Sequence, residues 1–305
     1  MSICSERPSA ARKDEMRVEI APGVRVFVDV DGPGLVPDGA GMRERPTVVF
    51  LHGGPGFDHC TGKSTLSGLS DCAQFIYYDH RGHGRSDRRP LTECALDIWA
   101  DDVVRLCDAL GVVNPIVFGQ SFGGMVAQRY IARHPAHPGR VILSSTSAHF
   151  GLARKLAWFE RLGGAAVRDA AEAFWTRPDA ATLKAYYVSC MPFYNTTPQD
   201  PQIGERTTLT PEILMHWAKG EKKTMNLLPG LSRAQCPVLV LAGDQDPVTP
   251  IDDARDIAAA LPEQWVQFHA VAGAGHGAWR DKQNEAFAVL RRFIAAQAQQ
   301  SKSTP

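Results

Sequence analysis

The sequence predicts an α/β fold in which a mostly parallel, doubly wound sheet is interrupted by an inserted helical cap. Short apolar runs alternate with segments of helical period, which is typical of strands whose connecting helices cover both faces of a sheet. The run "TVVFL" at 47–51 is almost continuously apolar, as expected for a parallel strand that is buried on both faces. No clear run of this kind occurs between 149 and 231, so the cap is placed in that interval.

The predicted elements follow one another along the chain. The stretch "MRVEIAPGVRVFVDV" at 16–30 alternates apolar and polar residues around Pro22 and Gly23, which indicates an antiparallel hairpin. The polar, glycine-rich stretch 31–46 is predicted to be a loop. Further buried strands are predicted at 73–79, 115–119, 140–145, 237–243 and 265–271, and helices at 92–110, 122–134, 251–261 and 281–297.

This order divides the chain into three parts. Residues 1–148 are predicted to form the first part of an α/β core, 149–231 a helical cap, and 232–305 the second part of the core. The cap interval contains helix-like stretches rich in alanine and aromatic residues, such as "LARKLAWFERLGGAAVRDAAEAFW" at 152–175. An insertion of this kind is expected to lie over the sheet as a lid.

The composition and net charge of the chain limit the classes of molecule that it is expected to bind. With 305 residues and 44% hydrophobic content, the chain can bury a sizeable core. Lysine plus arginine and aspartate plus glutamate number 33 each, so no overall field attracts nucleic acid or an anionic membrane. We therefore expect a small-molecule or short peptide substrate and no nucleic-acid or membrane partner. The oligomeric state stays open.

Cysteine usage and the first residues predict the compartment. Seven cysteines are scattered along the chain without a CxxC pair, which favours free buried thiols over a disulfide framework or a zinc site. The initial "MSICSERPSAARKDEM" lacks the apolar segment of a signal peptide, and no apolar run is long enough to span a bilayer. These features predict a cytoplasmic protein.

A candidate nucleophile directly follows the predicted strand 115–119. The sequence there is "GQSFG", a GxSxG motif that precedes a predicted helix. In this setting Ser121 occupies a tight strand-to-helix turn, where the flanking glycines avoid collisions between backbone segments. The helix N-terminus also favours negative charge on a reacting oxygen. The alternative is a serine that only caps the helix.

A serine hydroxyl needs a base and an orienting acid to become a nucleophile. The run "PVLVLAGDQDPVTP" ends a predicted strand with Asp244 and Asp246, and "VAGAGHGAWR" follows the next strand with His276. Each of these residues alone is a weak indication, since aspartate before proline commonly starts a turn. A nucleophile, an acid and a base each follow a predicted strand, in the order expected of α/β-hydrolases. Together these residues predict a Ser-Asp-His triad.

Five stretches together resemble the α/β-hydrolase superfamily, and in particular its proline iminopeptidase (prolyl aminopeptidase) branch. They are "LHGGPGFDH", "YYDHRGHGRSD", "GQSFGGMVAQRYIARHP", "LAGDQDPVTP" and "GAGHGAW", and the resemblance covers 16–148 and 232–296. It implies an α/β-hydrolase fold with an inserted helical cap. It also implies a serine hydrolase that releases an N-terminal residue and requires no metal or organic cofactor.

The resemblance also assigns roles at matching positions. In the family the acid stands three residues after the glycine that closes its strand, which selects Asp246 over Asp244, and the base is the histidine of the GH motif, His276. The oxyanion hole takes one N–H from the residue after the nucleophile, Phe122, and one from the His-Gly turn, where the matching residue is Gly54. Bare glycines let a carbonyl oxygen approach the backbone closely.

Neighbouring polar residues are interpreted as structural. His52 is expected to brace the glycine turn by hydrogen bonding, and Asp79 and Arg81 are expected to brace a loop near the site. The typical family member has glutamine at the position of His80 and tryptophan at the position of Phe122.

The sequence leaves the substrate open. In the family, acidic cap residues bind the free amine of the substrate, and this cap offers Glu160, Glu172, Glu205, Glu212 and Glu221. Its aromatic residues either line an acyl pocket or pack between helices, and packing is the more common role. These aromatic residues are Trp158, Phe159, Phe174, Trp175, Tyr186, Tyr187, Phe193, Tyr194 and Trp217.

Three functions are therefore carried forward. The first is an aminopeptidase that acts on N-terminal proline or small residues. The second is an esterase, lactonase or amidase that acts on a small apolar substrate. The third is a ligand-binding protein on the same fold whose triad is slow or silent.

Overall fold

The computed structural model describes residues 16–198 and 200–300. The strands are β1 (Arg17–Ala21), β2 (Val24–Asp31), β3 (Leu35–Asp38), β4 (Gly41–Glu44), β5 (Thr47–Leu51), β6 (Gln74–Tyr78), β7 (Ile116–Gln120), β8 (Arg140–Ser144), β9 (Val238–Gly243) and β10 (Val266–Val271). The α-helices are α1 (Cys60–Leu66), α2 (Leu96–Leu110), α3 (Phe122–Arg133), α4 (Leu152–Gly163), α5 (Ala165–Thr176), α6 (Ala180–Cys190), α7 (Ile203–Arg206), α8 (Pro211–Lys219), α9 (Leu228–Leu231), α10 (Ile251–Ala260), α11 (Ala278–Asp281) and α12 (Gln283–Gln300). Short 3₁₀ turns cover Ser67–Leu69, Leu91–Glu93, Met191–Phe193 and Glu221–Lys223.

Eight strands form one sheet in the order β1-β2-β6-β5-β7-β8-β9-β10. The pairs β1–β2 and β2–β6 are antiparallel, and every pairing from β6 to β10 is parallel. All residues of β7, β8 and β9 are buried, which explains why their sequences are mostly apolar without alternation. The predicted α/β fold with a mostly parallel sheet is confirmed.

Two predicted elements differ from the structure. The stretch that forms β10 was predicted to be a buried strand, but β10 is the last strand of the sheet and only Val271 in it is buried. An edge strand has one neighbour, so much of it faces water, and the prediction of burial was wrong. The stretch 31–46, predicted to be a loop, contains β3 and β4, which pair as a separate antiparallel hairpin. Both strands are largely exposed, so no apolar pattern marks them.

The described chain between β8 and β9 is mainly helical and contains α4 to α9. An isolated bridge joins His149 to Asn226, and the N–H of Leu227 donates to the carbonyl of Ala148 at 2.8 Å. These bonds bring the two ends of the helical segment together beside the sheet. The domain boundaries at 149 and 231 stay a prediction, and "cap" below denotes residues 149–231.

The central strands direct alternate side chains into two hydrophobic clusters, because side chains of a strand alternate between its faces. Val49 and Val117 belong to a cluster that continues into the cap through Phe159. Phe50 and Phe118 belong to a second cluster on the opposite face, where α11 and α12 also contribute. The cap therefore shares a core with one face of the sheet.

The described cysteines fit the prediction of free thiols. Cys94, Cys107, Cys190 and Cys236 are free and buried, whereas Cys60 and Cys72 are free and partly exposed. Cys4 lies outside the described residues. Within 16–198 and 200–300, the helices lack the length and apolar character that a membrane crossing requires.

Candidate active site

Ser121 stands at a strained turn between β7 and α3. Its φ and ψ are 55° and −116°, and L-residues rarely adopt a positive φ. A Cβ on Gly119 would collide with the carbonyl of Gly123, and a Cβ on Gly123 would collide with the carbonyl of Leu51. Close packing of the turn against β5 therefore requires glycine on both sides of Ser121.

Ser121, His276 and Asp246 lie within hydrogen-bonding distance of one another in series. Ser121 Oγ is 2.9 Å from His276 Nε2, and His276 Nδ1 is 2.8 Å from Asp246 Oδ2. When Nδ1–H donates to the carboxylate, Nε2 is left to accept the serine proton. The three residues follow β7, β9 and β10, and they meet because parallel strands end at the same edge of the sheet.

The loop after β9 holds the Asp246 carboxylate in place. The N–H groups of Val248 and Thr249 donate to Asp246 Oδ1 at 2.7 and 2.9 Å, and the Thr249 hydroxyl donates to Oδ2 at 2.7 Å. Asp246 is fully buried, so these donors replace the water that a carboxylate would otherwise bind. Both oxygens are thus fixed before any reaction.

Asp244, the alternative acid, has a different environment. Its Oδ1 accepts the N–H of Gly273 at 2.7 Å and the side-chain amide of Gln245 at 3.0 Å. Asp244 therefore fastens the loop that carries His276 to the end of β9. Of the two aspartates, the structure brings Asp246 to the histidine.

The glycine turn after β5 faces the same cavity as Ser121. Gly54 lines this cavity, and its φ of 130° lies in the region that favours glycine. Phe122 is the first residue of α3, so its N–H has no acceptor within the helix. Among the described residues, neither N–H takes part in a backbone hydrogen bond. Both groups remain available for an oxygen of a ligand.

His52, His80 and His83 form a buried cluster behind this turn. The ring centroids of His52 and His80 are 4.2 Å apart, and those of His80 and His83 are 5.6 Å apart. His52 Nδ1–H donates to the carbonyl of Gly53 at 2.8 Å, and Nε2 accepts the N–H of His80 at 3.0 Å. This contact matches the bracing role expected of His52.

Burial sets the charge of the histidine cluster. It lowers the pKa of His52, lowers that of His80 strongly, and lowers that of His83 to about 3. The three rings are therefore neutral at pH 7. His80 stands where the typical family member has glutamine, so a neutral group occupies that position here as well.

Asp79 and Arg81 brace the loop after β6 through separate partners. Asp79 accepts the backbone N–H of His59 at 3.0 Å, its ring N–H at 2.6 Å, and the N–H of Arg85 at 2.7 Å. Burial opposes charge on His59, but hydrogen bonds to Asp79 and Cys60, together with the charges of these groups, outweigh it and raise the pKa of His59 to about 10. Arg81 binds Asp102 through two hydrogen bonds of 2.7 Å. Neither residue contacts the triad.

A cavity of about 300 Å³ opens beside Ser121 and His276. Of the nine cap aromatic residues considered from the sequence, six line it, which is more than the sequence interpretation favoured, and Phe150 of the cap lines it as well. The six are Phe174, Trp175, Tyr186, Tyr187, Tyr194 and Trp217. Trp158, Phe159 and Phe193 are not part of this wall. The cavity is thus formed by the sheet edge on one side and aromatic cap residues on the other.

The predicted amine-binding glutamates do not line the cavity. Glu160 pairs with Arg168 at 2.9 Å, and Glu221 accepts the N–H of Leu96 at 3.0 Å. The remaining three, Glu172, Glu205 and Glu212, are exposed. Among the described residues, no aspartate or glutamate belongs to the cavity wall.

Sequence reasoning missed Lys155 and named Tyr194 only as one of several candidate pocket aromatic residues. The carbonyl of Tyr194 accepts the N–H of His276 at 2.5 Å, and the two rings are 5.5 Å apart. Lys155 lines the cavity and is buried on α4 together with Phe159. A lysine within the apolar stripe of a helix is the signal that points to Lys155. Tyr194 carries no comparable signal, because it lies in an irregular segment.

One group of potential metal ligands occurs where the core meets the cap. His149, Asp253 and Asp256 place ligand atoms within 4.8 Å of one another. Arg154 Nη1 lies 2.9 Å from Asp253 Oδ1 and 2.5 Å from Asp256 Oδ2. Because the guanidinium already balances these carboxylates, the group is an ion-pair cluster.

Comparison with known proteins identifies the family of the chain. The family described as alpha/beta hydrolase fold matches residues 46–281. The non-heme chloroperoxidase of Streptomyces lividans is 29% identical over 255 residues, which are 76% of this chain and 85% of that protein. Proline iminopeptidase PfmaB of Pestalotiopsis fici is 34% identical over 125 residues, which are 40% of this chain and 43% of that protein.

Solved structures extend the likeness over nearly the whole chain. The proline iminopeptidase of Mycobacterium smegmatis has a TM-score of 0.72 at 22% identity and covers 93% of this chain and 99% of its own. At this identity the likeness concerns the fold, whereas the family match spans most of the sequence. The chain therefore belongs to the α/β-hydrolase fold family, as a hydrolase that is similar to its proline iminopeptidase branch.

Proposed function

We propose that this protein is a serine hydrolase that acts through an acyl-enzyme, with Ser121 as nucleophile, His276 as base and Asp246 as orienting acid. The observation that carries the proposal is the pair of hydrogen bonds of 2.9 and 2.8 Å that link the three side chains in series beside the cavity. Such a series is what proton transfer during acyl transfer requires.

In the first half of the reaction, His276 Nε2 takes the proton of Ser121 Oγ as that oxygen attacks the substrate carbonyl. The N–H groups of Gly54 and Phe122 hold the oxyanion of the tetrahedral intermediate. A donor of this kind is worth about 2.7–4 kcal/mol of transition-state stabilisation. His276 then protonates the leaving group, and the acyl group stays on Ser121.

In the second half, a water molecule gives a proton to His276 and attacks the acyl carbon. The second tetrahedral intermediate collapses, the proton returns to Ser121, and a carboxylic acid is released. Neither half requires a metal or an organic cofactor, because the serine supplies the nucleophile and the histidine moves every proton.

The cavity best supports the hydrolysis of a small ester, lactone or amide. Its volume of about 300 Å³ and its seven cap aromatic residues suit a compact substrate with an apolar body. Ester and amide cleavage both follow the steps above, since they differ only in the leaving group. We therefore place carboxylic ester or amide hydrolysis first.

Release of an N-terminal residue is the second candidate, and the similarity to proline iminopeptidases favours it. This activity needs a partner for the ammonium group of the substrate. The described wall contains no carboxylate, so an aminopeptidase would have to hold the ammonium with neutral oxygen atoms. Such contacts are weaker than an ion pair between the ammonium and a carboxylate.

A fluorophosphonate probe tests the nucleophile. We expect it to label Ser121, identified by peptide mass spectrometry, and labelling should disappear in Ser121→Ala. His276→Ala should slow labelling by several orders of magnitude, because the serine loses its base. A folded protein that resists the probe would favour the ligand-binding alternative.

A substrate panel separates the two candidates. We expect Ser121-dependent turnover of 4-nitrophenyl pentanoate that exceeds turnover of proline 4-nitroanilide. N-acetylated proline 4-nitroanilide is the control, because acetylation removes the charge of the amine. Efficient arylamide turnover that acetylation abolishes would establish the aminopeptidase and overturn our preference for the ester.

A further inference from the structure

The charge of the cavity wall carries information about the substrate. Besides His276, the ionisable basic side chains in the wall are Lys155 and Arg280. Asp246 is engaged with His276, and Asp253 is engaged with Arg154 at 2.9 Å. Arg280 Nε lies 3.8 Å from Asp281 Oδ1, so Lys155 is the basic side chain of the described wall that forms no ion pair with a carboxylate.

Lys155 is the cation best placed to contact a ligand. Its side chain is buried, with 5% of the residue exposed, and its ammonium donates to the carbonyl of Val248 in the loop of the catalytic acid. An ammonium group has three donors, so two remain for other acceptors. Burial lowers the pKa of Lys155, and Asp253 and Asp246 oppose this effect. A bound anion would raise that pKa again.

A second lysine occupies the aromatic site where a substrate ammonium would otherwise bind. Lys222 Nζ lies 3.2 Å from the ring centroid of Phe150 and 3.8 Å from that of Trp175, and both rings line the cavity. Among the described residues Nζ has no hydrogen-bond partner. Aromatic faces attract cations, but the Lys222 amine already covers this pair of faces.

The features that commonly bind an amine are therefore either absent from the wall or already used. No described carboxylate faces the cavity, Lys222 covers the rings of Phe150 and Trp175, and Lys155 donates to the Val248 carbonyl. A second cation brought to this place would meet Lys155 in a medium of low dielectric, where repulsion between like charges is strong. An anion would instead meet unused donors.

We propose that the cavity selects substrates that carry a negatively charged group such as a carboxylate, which Lys155 binds, and that it rejects substrates with a free amine. This inference rests on the proposed serine hydrolase and names its substrate class. Lys155 is here a specificity-determining residue that takes no part in proton transfer.

Paired substrates test the proposal. One pair places the charge on the acyl side, 4-nitrophenyl hemiglutarate against 4-nitrophenyl pentanoate. The other pair places it on the alcohol side, 4-carboxyphenyl pentanoate against its methyl ester. For each pair the ratio of kcat/KM, charged over neutral, is compared between wild type and Lys155→Met, which cancels differences in intrinsic reactivity. We expect the ratio to fall at least about tenfold for one pair, as for loss of a charged hydrogen bond.

Two variants control for indirect effects. Lys184→Met removes an exposed cap lysine and should leave both ratios unchanged. Lys155→Arg keeps the positive charge and should retain most of the preference. Turnover of the neutral esters by Lys155→Met shows that the variant is folded. Ratios that change less than twofold for both pairs would overturn the proposal.

An inhibition measurement on the wild-type protein is independent of any variant. We expect 3-phenylpropionate to inhibit hydrolysis of 4-nitrophenyl pentanoate with an inhibition constant at least about tenfold lower than that of 3-phenylpropylamine. Equal inhibition, or stronger inhibition by the amine, would contradict the proposal. Absence of any Ser121-dependent ester turnover would instead refute the proposed function, and calorimetric binding of the same two compounds would still report the charge preference.

Discussion

The carboxyl edge of the sheet and the cap line one cavity in opposite ways. At the edge, Ser121, His276 and Asp246 are joined in series by hydrogen bonds of 2.9 and 2.8 Å. In the cap, Lys222 Nζ and Trp217 Nε1 are buried without a hydrogen-bond partner among the described residues. The polar groups of the edge are thus paired with one another, whereas the cap offers apolar surface, unpaired nitrogen atoms and Lys155, which lines the cavity. The proposed chemistry and the proposed selection of the substrate therefore belong to different parts of the chain.

The largest expected effect is the loss of kcat when the acid at the sheet edge is removed. We expect Asp246→Ala to lower kcat by about 10⁴-fold, since the imidazole loses its orienting partner. Asp244→Ala is the matched control and should cost less than about tenfold, because Asp244 binds the N–H of Gly273 rather than the histidine. Steady-state hydrolysis of 4-nitrophenyl pentanoate measures both. The reverse ranking would show that the assignment of the acid is wrong.

A side chain at the glycine turn should have the next largest effect. We expect Gly54→Ala to lower kcat by about 10²- to 10³-fold, because its φ is 130° and the new Cβ would lie 2.9 Å from the N of Gly56. The backbone must shift, and the N–H proposed to hold the oxyanion shifts with it. The measurement is kcat alongside the free energy of unfolding from urea titration.

Gly39→Ala is the control for backbone strain. Gly39 has a φ of 62° in the exposed β3–β4 hairpin, with no atom within 4 Å of an added Cβ. It should cost about 1 kcal/mol of stability and leave kcat unchanged. If both variants lose activity in proportion to stability, the oxyanion role of Gly54 is not supported.

The smallest expected effect is on the free energy of unfolding, and it comes from Lys222 in the cap. Burial, reinforced by the charge of Lys155, lowers the pKa of Lys222 from 10.5 to about 6. Between these values the unfolded chain binds a proton that the native protein does not, so this group makes stability rise with pH by up to about 1.4 kcal/mol per unit. We expect Lys222→Met to remove that slope between about pH 7 and 10.

Urea unfolding at several pH values measures this difference between wild type and variant. Lys223→Met, at the exposed neighbouring position, is the control and should keep the wild-type slope. Parallel pH profiles for wild type and Lys222→Met would mean that Lys222 stays protonated in the native protein. In that case the charge of the cap beside the cavity would include Lys222 as well as Lys155.

Local sequence was sufficient for the sheet and for the residues at its edge. Continuous apolar runs mark β5, β7 and β9 because a central strand is buried on both faces whatever lies above it. Ser121 directly follows such a run and Asp246 stands three residues after another, while the glycines around Ser121 avoid collisions within the turn and with β5. The edge strand β10 and the exposed β3–β4 hairpin escaped this reasoning, because their burial depends on position in the sheet.

The residues that line the cavity could not be predicted from local sequence in the same way. Aromatic residues at helical spacing look alike in the sequence whether they face a neighbouring helix or a cavity, and six of nine face the cavity here. The five glutamates were candidates by composition, but docking of the cap leaves them outside the wall, whereas Lys155 is turned inward. Strand ends are placed by continuous backbone hydrogen bonding, so short motifs predict them. The inward face of a helical insertion is set by packing between distant segments, and that packing decides which charges meet the substrate.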